Sequence, residues 1–410
     1  MKRFTALLLC LFLLLPLNAC GEEPEEIHTV SIGLFEPLTG DDALFGNQER
    51  LGVEFARTIK RSVVLDGVEY DVILEEEDTL SAIDGAVYAA RKLKDKGVSL
   101  AIGSYGSSAC SVAASVFEEE DIPVIAVSCT DETVTKSHPN CFRVCMLDSL
   151  QGKLLAQYAF EYGAKVAYCL AQTDRTYDRT MCNYFLDEFK ALGGTVVTTV
   201  TEIQYNTYST ALNNFADYIN GAVNNKTDIL FSPIPPKKGG QLITECAASD
   251  VKFSILGDDT WDDDSLGEYA LGTYMYVSYA ALFAEDRDDS TKEFSAAFRD
   301  WLHADEHRIE ANGGTDKVSP ASALAYDAYM TACAAMESAG STEPAAVLAA
   351  MKTVNVNGVT GNIVFDEFGD AARTELFLKH VDTATGEIYY EKTQMKRYEA
   401  PPAEDGEEPA

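Results

Sequence analysis

An α/β chain of two lobes, each a parallel sheet with helices on both faces, is what this sequence predicts. Three observations carry the expectation. Short runs rich in β-branched residues alternate with longer runs of helical periodicity. The series begins near residue 30 and restarts after about residue 148. About 370 residues of ordinary folded composition lie between two acidic ends, which is enough for two domains.

In order, residues 30–35 form the first expected strand. Residues 48–61 carry Leu51, Phe55 and Ile59 at helical spacing. Residues 70–74 are strand-like. Residues 83–94 put Ala86, Ala90 and Leu93 on one helix face. Residues 99–102 are a short buried strand, 111–119 a helix and 124–127 a strand. This β-α-β-α order implies a parallel sheet. The second series has a helix at 151–162, a strand at 165–170 and a helix at 177–192 that Gly193-Gly194 stops. Strands are expected at 196–203, 228–232, 254–256 and 274–279, and helices at 291–307, 319–339 and 344–353. Strands at 363–365, 374–381 and 387–390 finish the chain. Open parallel sheets bind ligands outside the carboxyl ends of their strands. Two such edges facing each other make a cleft, so the loops after strands are where function is expected.

The N-terminus predicts export. Lys2 and Arg3 precede an apolar run at 4–17, closed by Leu17-Asn18-Ala19-Cys20. The run falls short of the roughly 20 residues that span a bilayer. Its Leu-x-Ala-Cys ending resembles the lipobox of bacterial lipoproteins. That resemblance implies a 1–20 signal, a lipidated Cys20 as first mature residue, and attachment to the outer face of the cytoplasmic membrane. Residues 21–28 are an acidic tether by composition, and 399–410 an acidic, disordered tail. The net charge is -34, and -36 once Lys2 and Arg3 leave with the signal. So acidic a chain excludes nucleic acid and basic-patch docking on anionic lipid. Of ten cysteines, Cys110, Cys129, Cys141, Cys145, Cys169, Cys182, Cys246 and Cys333 remain beside the signal's Cys10 and the lipid's Cys20. No CxxC pair occurs, and whether any of the eight pair is open.

The clearest constellation is Ile102-Gly103-Ser104-Tyr105-Gly106-Ser107-Ser108, after a buried strand and at the opening of a helix. Glycines let the backbone approach a ligand, helix-start amides attract an anion, and Ser107 and Ser108 add hydroxyls. A serine that simply caps the helix explains the same residues. A second loop, Ser128-Cys129-Thr130-Asp131, ends the next strand, so two neighbouring loops can clasp one carboxylate. A common polar turn is the alternative.

Residues 32–40 (Ile-Gly-Leu-Phe-Glu-Pro-Leu-Thr-Gly), Gly103 to Ser107, Ile122-Pro123-Val124-Ile125, Ala323-Leu324-Ala325-Tyr326-Asp327-Ala328 and residues 360–366 (Thr-Gly-Asn-Ile-Val-Phe-Asp) together resemble the branched-chain amino acid-binding proteins of ABC importers. The likeness runs from about 30 to 390. It implies two Rossmann-like lobes joined by a three-crossover hinge, the type I periplasmic-binding-protein fold. The first lobe is expected at 29–148 plus 281–356 and the second at 149–280 plus 357–398. By the same resemblance Ser107, Ser128 and Thr130 hold a ligand carboxylate, with Ser108 beside them. Phe45 covers the ligand, Tyr177 lines the cleft from the second lobe, Asp259 pairs with the ligand ammonium, and Trp261 packs beside it. The implied function is capture of an amino acid or related small amide by hinge closure, without a cofactor or metal and without catalysis. Implied partners are ABC permease subunits, for a chain expected to be a monomer. A sensory lipoprotein of the same fold is the nearest alternative.

One departure stands out. Where the family shows an aromatic-rich loop, this chain has Pro233-Ile234-Pro235-Pro236-Lys237-Lys238-Gly239-Gly240. The second-lobe aromatic expected there is missing. His303-Ala304-Asp305-Glu306-His307 matches the H-x-x-E-H pattern of inverted zinc proteases and gives a remote hydrolase alternative. No G-x-S-x-G, G-x-G-x-x-G or P-loop pattern occurs.

Overall fold

The computed structural model describes residues 27–172, 176–197, 206–208, 214–249, 251–262 and 265–395. The expected signal at 1–20, with Cys20, and the expected tail at 399–410 lie outside the described residues. The first lobe is built from β1 (His28–Glu36), α1 (Ala43–Ile59), β2 (Ser62–Leu65), β3 (Val68–Asp78), α2 (Ile83–Asp95), β4 (Leu100–Gly103), α3 (Ser107–Glu118), β5 (Val124–Ala126), α4 (Thr133–Lys136) and β6 (Cys141–Arg143). β1 begins one residue inside the expected tether, with His28 paired to Tyr70. The sheet runs β2-β3-β1-β4-β5-β6, parallel except for β2, which folds back on β3. Asp66 and Gly67 make that reversal with φ of 48° and 84°, the two positive angles that a tight hairpin needs.

The second lobe contains α5 (Asp148–Glu161), β7 (Val166–Gln172), α6 (Thr176–Ala191), β8 (Thr195–Val197), β9 (Asn206–Tyr208), α7 (Ala216–Asn224), β10 (Ile229–Phe231), α8 (Pro236–Ala248), β11 (Ser254–Gly257), α9 (Ser265–Ala270) and β12 (Val277–Ala281). The chain returns to the first lobe through α10 (Asp289–His303), α11 (Glu306–Ala311), α12 (Pro320–Ala339), α13 (Pro344–Met351) and the hairpin β13 (Asn355–Gly358) and β14 (Gly361–Val364). It crosses a third time to add β15 (Glu375–Val381) and β16 (Ile388–Met395). The second sheet runs β16-β15-β12-β11-β10-β7-β8, and β15 joins β12 antiparallel.

Each sheet is covered on both faces. In the first lobe α12 closes one side with Leu324, Ala328, Tyr329 and Met336. α2 and α3 close the other with Leu93, Ala113 and Phe117. In the second, α5 and α6 pack over one face through Leu154, Phe185 and Phe189. α7, α8 and α9 cover the other through Ile219, Leu242 and Leu266. The all-buried strands β4 and β12 follow from this double cover.

Three expectations change. Ile363, Phe365 and Ala371 pack into the first-lobe core, so the segment expected to join the second lobe at 357 joins its sheet only at Glu375. Burying those apolar side chains holds the hairpin on the first lobe. The helix expected at 291–307 breaks after His303, because Asp305 adopts an extended backbone and caps α11 through the amide of His307 at 3.0 Å. His303 and His307 therefore sit on different helices. His303 faces Asp316 at 2.9 Å, and the exposed His307 lies 3.8 Å from Glu310. The loop expected at 233–240 is the start of α8, with Pro235 as cap and Pro236 in the first turn, where a missing N–H costs nothing. Of the strand expected at 196–203, β8 covers only the start, and 198–203 lie outside the described residues. The eight cysteines among the described residues are all buried and free. No helix among the described residues is long and apolar enough to cross a membrane.

Candidate functional site

The loops at the carboxyl ends of β1, β4 and β5 come together on the first lobe. Gly106 precedes α3 with φ +96°, a region glycine enters without penalty. That turn leaves α3 without any side-chain cap, so the serines are not spent on capping. The Ser107 hydroxyl instead accepts the amide of Asp131 at 3.4 Å, linking the β4 and β5 loops. Ser108, one residue on, is exposed. Ser128 donates its hydroxyl to Glu49 on α1. Thr130 bonds Asp148 by its side chain, and its carbonyl accepts the Asp148 amide at 3.4 Å. This ties the β5 loop to the first turn of α5 in the other lobe.

Arg143 fixes the shape of that loop from below. It is fully buried and donates to the carbonyls of Cys129 at 2.7 Å and Asp131 at 2.6 Å. Its charge is balanced by Asp370 at 2.7 Å.

On the second lobe, Asp259 opens a short 3-10 turn (Asp259–Trp261) after β11. Its Oδ1 accepts Gln151 Nε2 at 2.8 Å and the Tyr177 hydroxyl at 3.1 Å. Its amide donates to Gln151 Oε1 at 3.0 Å. Asp259 and Tyr177 are thus brought together, one from the 3-10 turn and one from α6, with Gln151 of α5 as their clamp.

Four side chains that the sequence reading passed over complete the arrangement. Tyr105 stacks on Phe45, ring centres 4.6 Å apart and planes 10° from parallel. Its amide donates to Glu36 Oε2 at 2.9 Å. Glu36 and Glu49 are wholly buried beside each other. Burial, then the neighbouring carboxyl, raises Glu36 well above the usual carboxylate range. Burial lifts Glu49 to about 7. Asp148 is raised to about 7 by burial first and by the charge of Asp259 second. Burial and the carboxylates of Glu49, Asp42 and Asp259 push the Tyr105 phenol up. The charge of second-lobe Asp259 thus bears on first-lobe Tyr105 and on Asp148. Glu36 and Tyr105 stood inside quoted motifs, and a carboxylate ending an apolar strand was the available signal for Glu36.

Trp261 is a correction. It is fully buried among second-lobe residues, and its indole N–H donates to the Ile234 carbonyl at 2.7 Å. Its ring lies where the Cβ of any residue but glycine at 239 or 257 would stand, at 2.6 and 2.2 Å. It therefore buttresses the turn carrying Asp259 and does not face the cleft. Phe45 keeps 41% exposure.

A cavity of about 240 Å³ opens beside these loops, lined by Pro37, Asp42, Thr79, Tyr105, Ser107 and Ser108 among others. Two larger hollows, about 430 and 440 Å³, touch none of the predicted site residues. Among the described residues no group of His, Cys, Asp and Glu is arranged to hold a metal.

A family model described as periplasmic binding protein matches residues 29–386. The chain is 24% identical over 345 residues to a Leu/Ile/Val-binding protein homolog of Brucella abortus, covering 83% of this chain and 87% of that one. Its fold is similar to that of a leucine binding protein from Thermotoga maritima, with TM-score 0.72, 24% identity and coverage of 90% and 99%. It is also similar to an ABC-transporter solute binding protein of Rhodopseudomonas palustris in complex with 3,4-dihydroxybenzoic acid, with TM-score 0.71, 20% identity and coverage of 90% and 98%.

Proposed function

The chain belongs to the periplasmic binding protein family, as a solute-binding protein of the leucine/isoleucine/valine type and not an enzyme, and we propose that it captures an amino acid for an ABC importer. In this proposal it is exported, held to the membrane by lipid on Cys20, and delivers its ligand to permease subunits. Ser107 receives the α-carboxylate, joined by Ser128 and Thr130 once their hydroxyls turn from Glu49 and Asp148, with the amides at the start of α3 behind them. Asp259 receives the α-ammonium, steadied by Gln151 and Tyr177. Phe45 and Tyr105 cover the ligand from the first lobe.

The observation that supports this reading is the division of chemistry across the gap: hydroxyls and helix-start amides on one lobe, a clamped carboxylate on the other. A zwitterion matches that polarity. Each charge-assisted bond in a water-poor cleft contributes roughly 1.5–3 kcal/mol. Closure of the lobes shifts the population toward the form a permease distinguishes.

The test is a thermal-shift screen of the purified protein against amino acids, small amides and aromatic carboxylates, followed by calorimetry on the hits. At least one amino acid should raise the melting temperature. Ser107→Ala combined with Asp259→Ala should abolish binding while the circular dichroism spectrum persists. Stabilisation by aromatic carboxylates alone, or undiminished affinity in the double variant, overturns the assignment.

A further inference from the structure

We propose that the ligand is a basic amino acid, whose cationic side chain enters the cavity walled by Asp42, Thr79 and Tyr105. The inference rests on the amino-acid reading of the cleft. The cavity measures about 240 Å³, ample for a side chain of lysine or arginine length. Ser107 and Tyr105, already at the carboxylate end of the cleft, also line it, so a ligand held there by its backbone groups has this hollow next to it.

Three features define its chemistry. Asp42 is the one charged residue in the lining. It stands before α1, yet its carboxylate caps no amide. Its own amide donates to Ser81 Oγ at 3.0 Å, which pins it to the wall. Thr79 is 1% exposed and lines the cavity, and its Oγ1 has no partner. A buried hydroxyl left in that condition is costly unless a ligand bonds it. Tyr105, stacked on Phe45, offers an aromatic surface of the kind that attracts ammonium and guanidinium groups.

Charge selects among side chains. Arg143, buried under the β5 loop, is committed to Asp370, Thr135 and two carbonyls. An acidic side chain entering the cavity meets the like charge of Asp42. An aliphatic one leaves both Asp42 and Thr79 without a partner. A cation pairs with the first, and its N–H groups reach the second. The helix-start amides of α3, which also border the hollow, serve the ligand carboxylate at Ser107.

Calorimetry at neutral pH on the purified protein decides the matter, with lysine, arginine and ornithine set against norleucine, leucine and glutamate. Norleucine has the length of lysine without its charge. Lysine, arginine or ornithine should bind about tenfold tighter than norleucine or more, as one charge-assisted contact implies. Asp42→Asn should collapse that ratio toward one, and Thr79→Val should reduce it. Norleucine, leucine or glutamate binding at least as tightly as all three basic amino acids overturns this inference and leaves the amino-acid reading standing. Failure of every amino acid to bind overturns both.

Discussion

At the scale of single residues, the site is organised around carboxyl groups kept out of water. Glu36 and Glu49 are both fully buried, and Glu49 takes the hydroxyl of Ser128. Two adjacent carboxyls cannot both ionise cheaply, so one proton is retained between them. The consequence for stability has a definite sign. Glu49 is raised from 4.5 to about 7 by burial. The folded state thus binds the proton more tightly than the unfolded chain. Its contribution is full below about pH 4.5 and is lost as pH rises through 7. At about 1.4 kcal/mol per pKa unit the effect amounts to at most roughly 3.5 kcal/mol. Asp148, raised to about 7 by burial and Asp259, acts in the same direction. Melting temperature should therefore fall between pH 5 and pH 8, and Glu49→Gln should flatten that slope. A profile equally steep in the variant would place the titration elsewhere. In the sequence Glu36 offered only its place at the end of an apolar strand, and Glu49 offered no signal. Position 36 ends a strand and position 49 lies within a helix, and only the fold sets them side by side.

At the scale of elements, what the sequence disclosed depended on how far each signal reaches. Periodicity located β1, α1, α2, α5 and α6 because an apolar stripe is a local property. The Asp66-Gly67 hairpin also carried a local signal, and β2 went unassigned because a four-residue strand is too short to show a period. α8 was hidden by its prolines, which read as a stiff loop although proline suits a helix's first turn. The break between α10 and α11 was lost in a charged run whose cap, Asp305, only the backbone reveals. The site followed the same rule. Ser107 and Ser128 were expected at the site from their place after strands and Asp259 only from the family resemblance, whereas Trp261, expected beside it, is buried in the second-lobe core. That packing makes its own prediction. A Cβ at position 257 would stand 2.2 Å from the indole ring, so Gly257→Ala must displace Trp261 or the strand. Overpacking of this kind costs about 1–3 kcal/mol. Because Asp258 and Asp259 follow directly, the variant should lose ligand affinity as well as thermal stability, measured by calorimetry and thermal denaturation. Loss of stability with full affinity would show that the Asp259 turn does not depend on the tryptophan.

At the scale of the whole molecule, the lobes have separate cores joined by three crossings; Leu282 packs against a cluster of each, and polar contacts add to it. Lys317, next to Val318 of a first-lobe cluster, reaches Asp262 of the second lobe at 3.8 Å. Asp262 is already held by Lys379 at 2.8 Å. Asp148 and Thr130 meet at the first crossing. The Lys317 contact is long and its carboxylate is already neutralised by Lys379, so little of the interlobe angle is fixed by it, and a ligand that bonds to both lobes adds a constraint there. A zwitterion that engages Ser107 and Asp259 together supplies that bond, and it shifts the equilibrium only by its excess affinity for the closed form. Small-angle scattering on the purified protein should therefore show a smaller radius of gyration at saturating amino acid than without it. The double variant Ser107→Ala with Asp259→Ala should keep the unliganded radius at the same amino acid concentration. If the radius were unchanged in the unaltered protein while calorimetry recorded binding, capture would proceed without closure, and the lobes would have to be regarded as one rigid body.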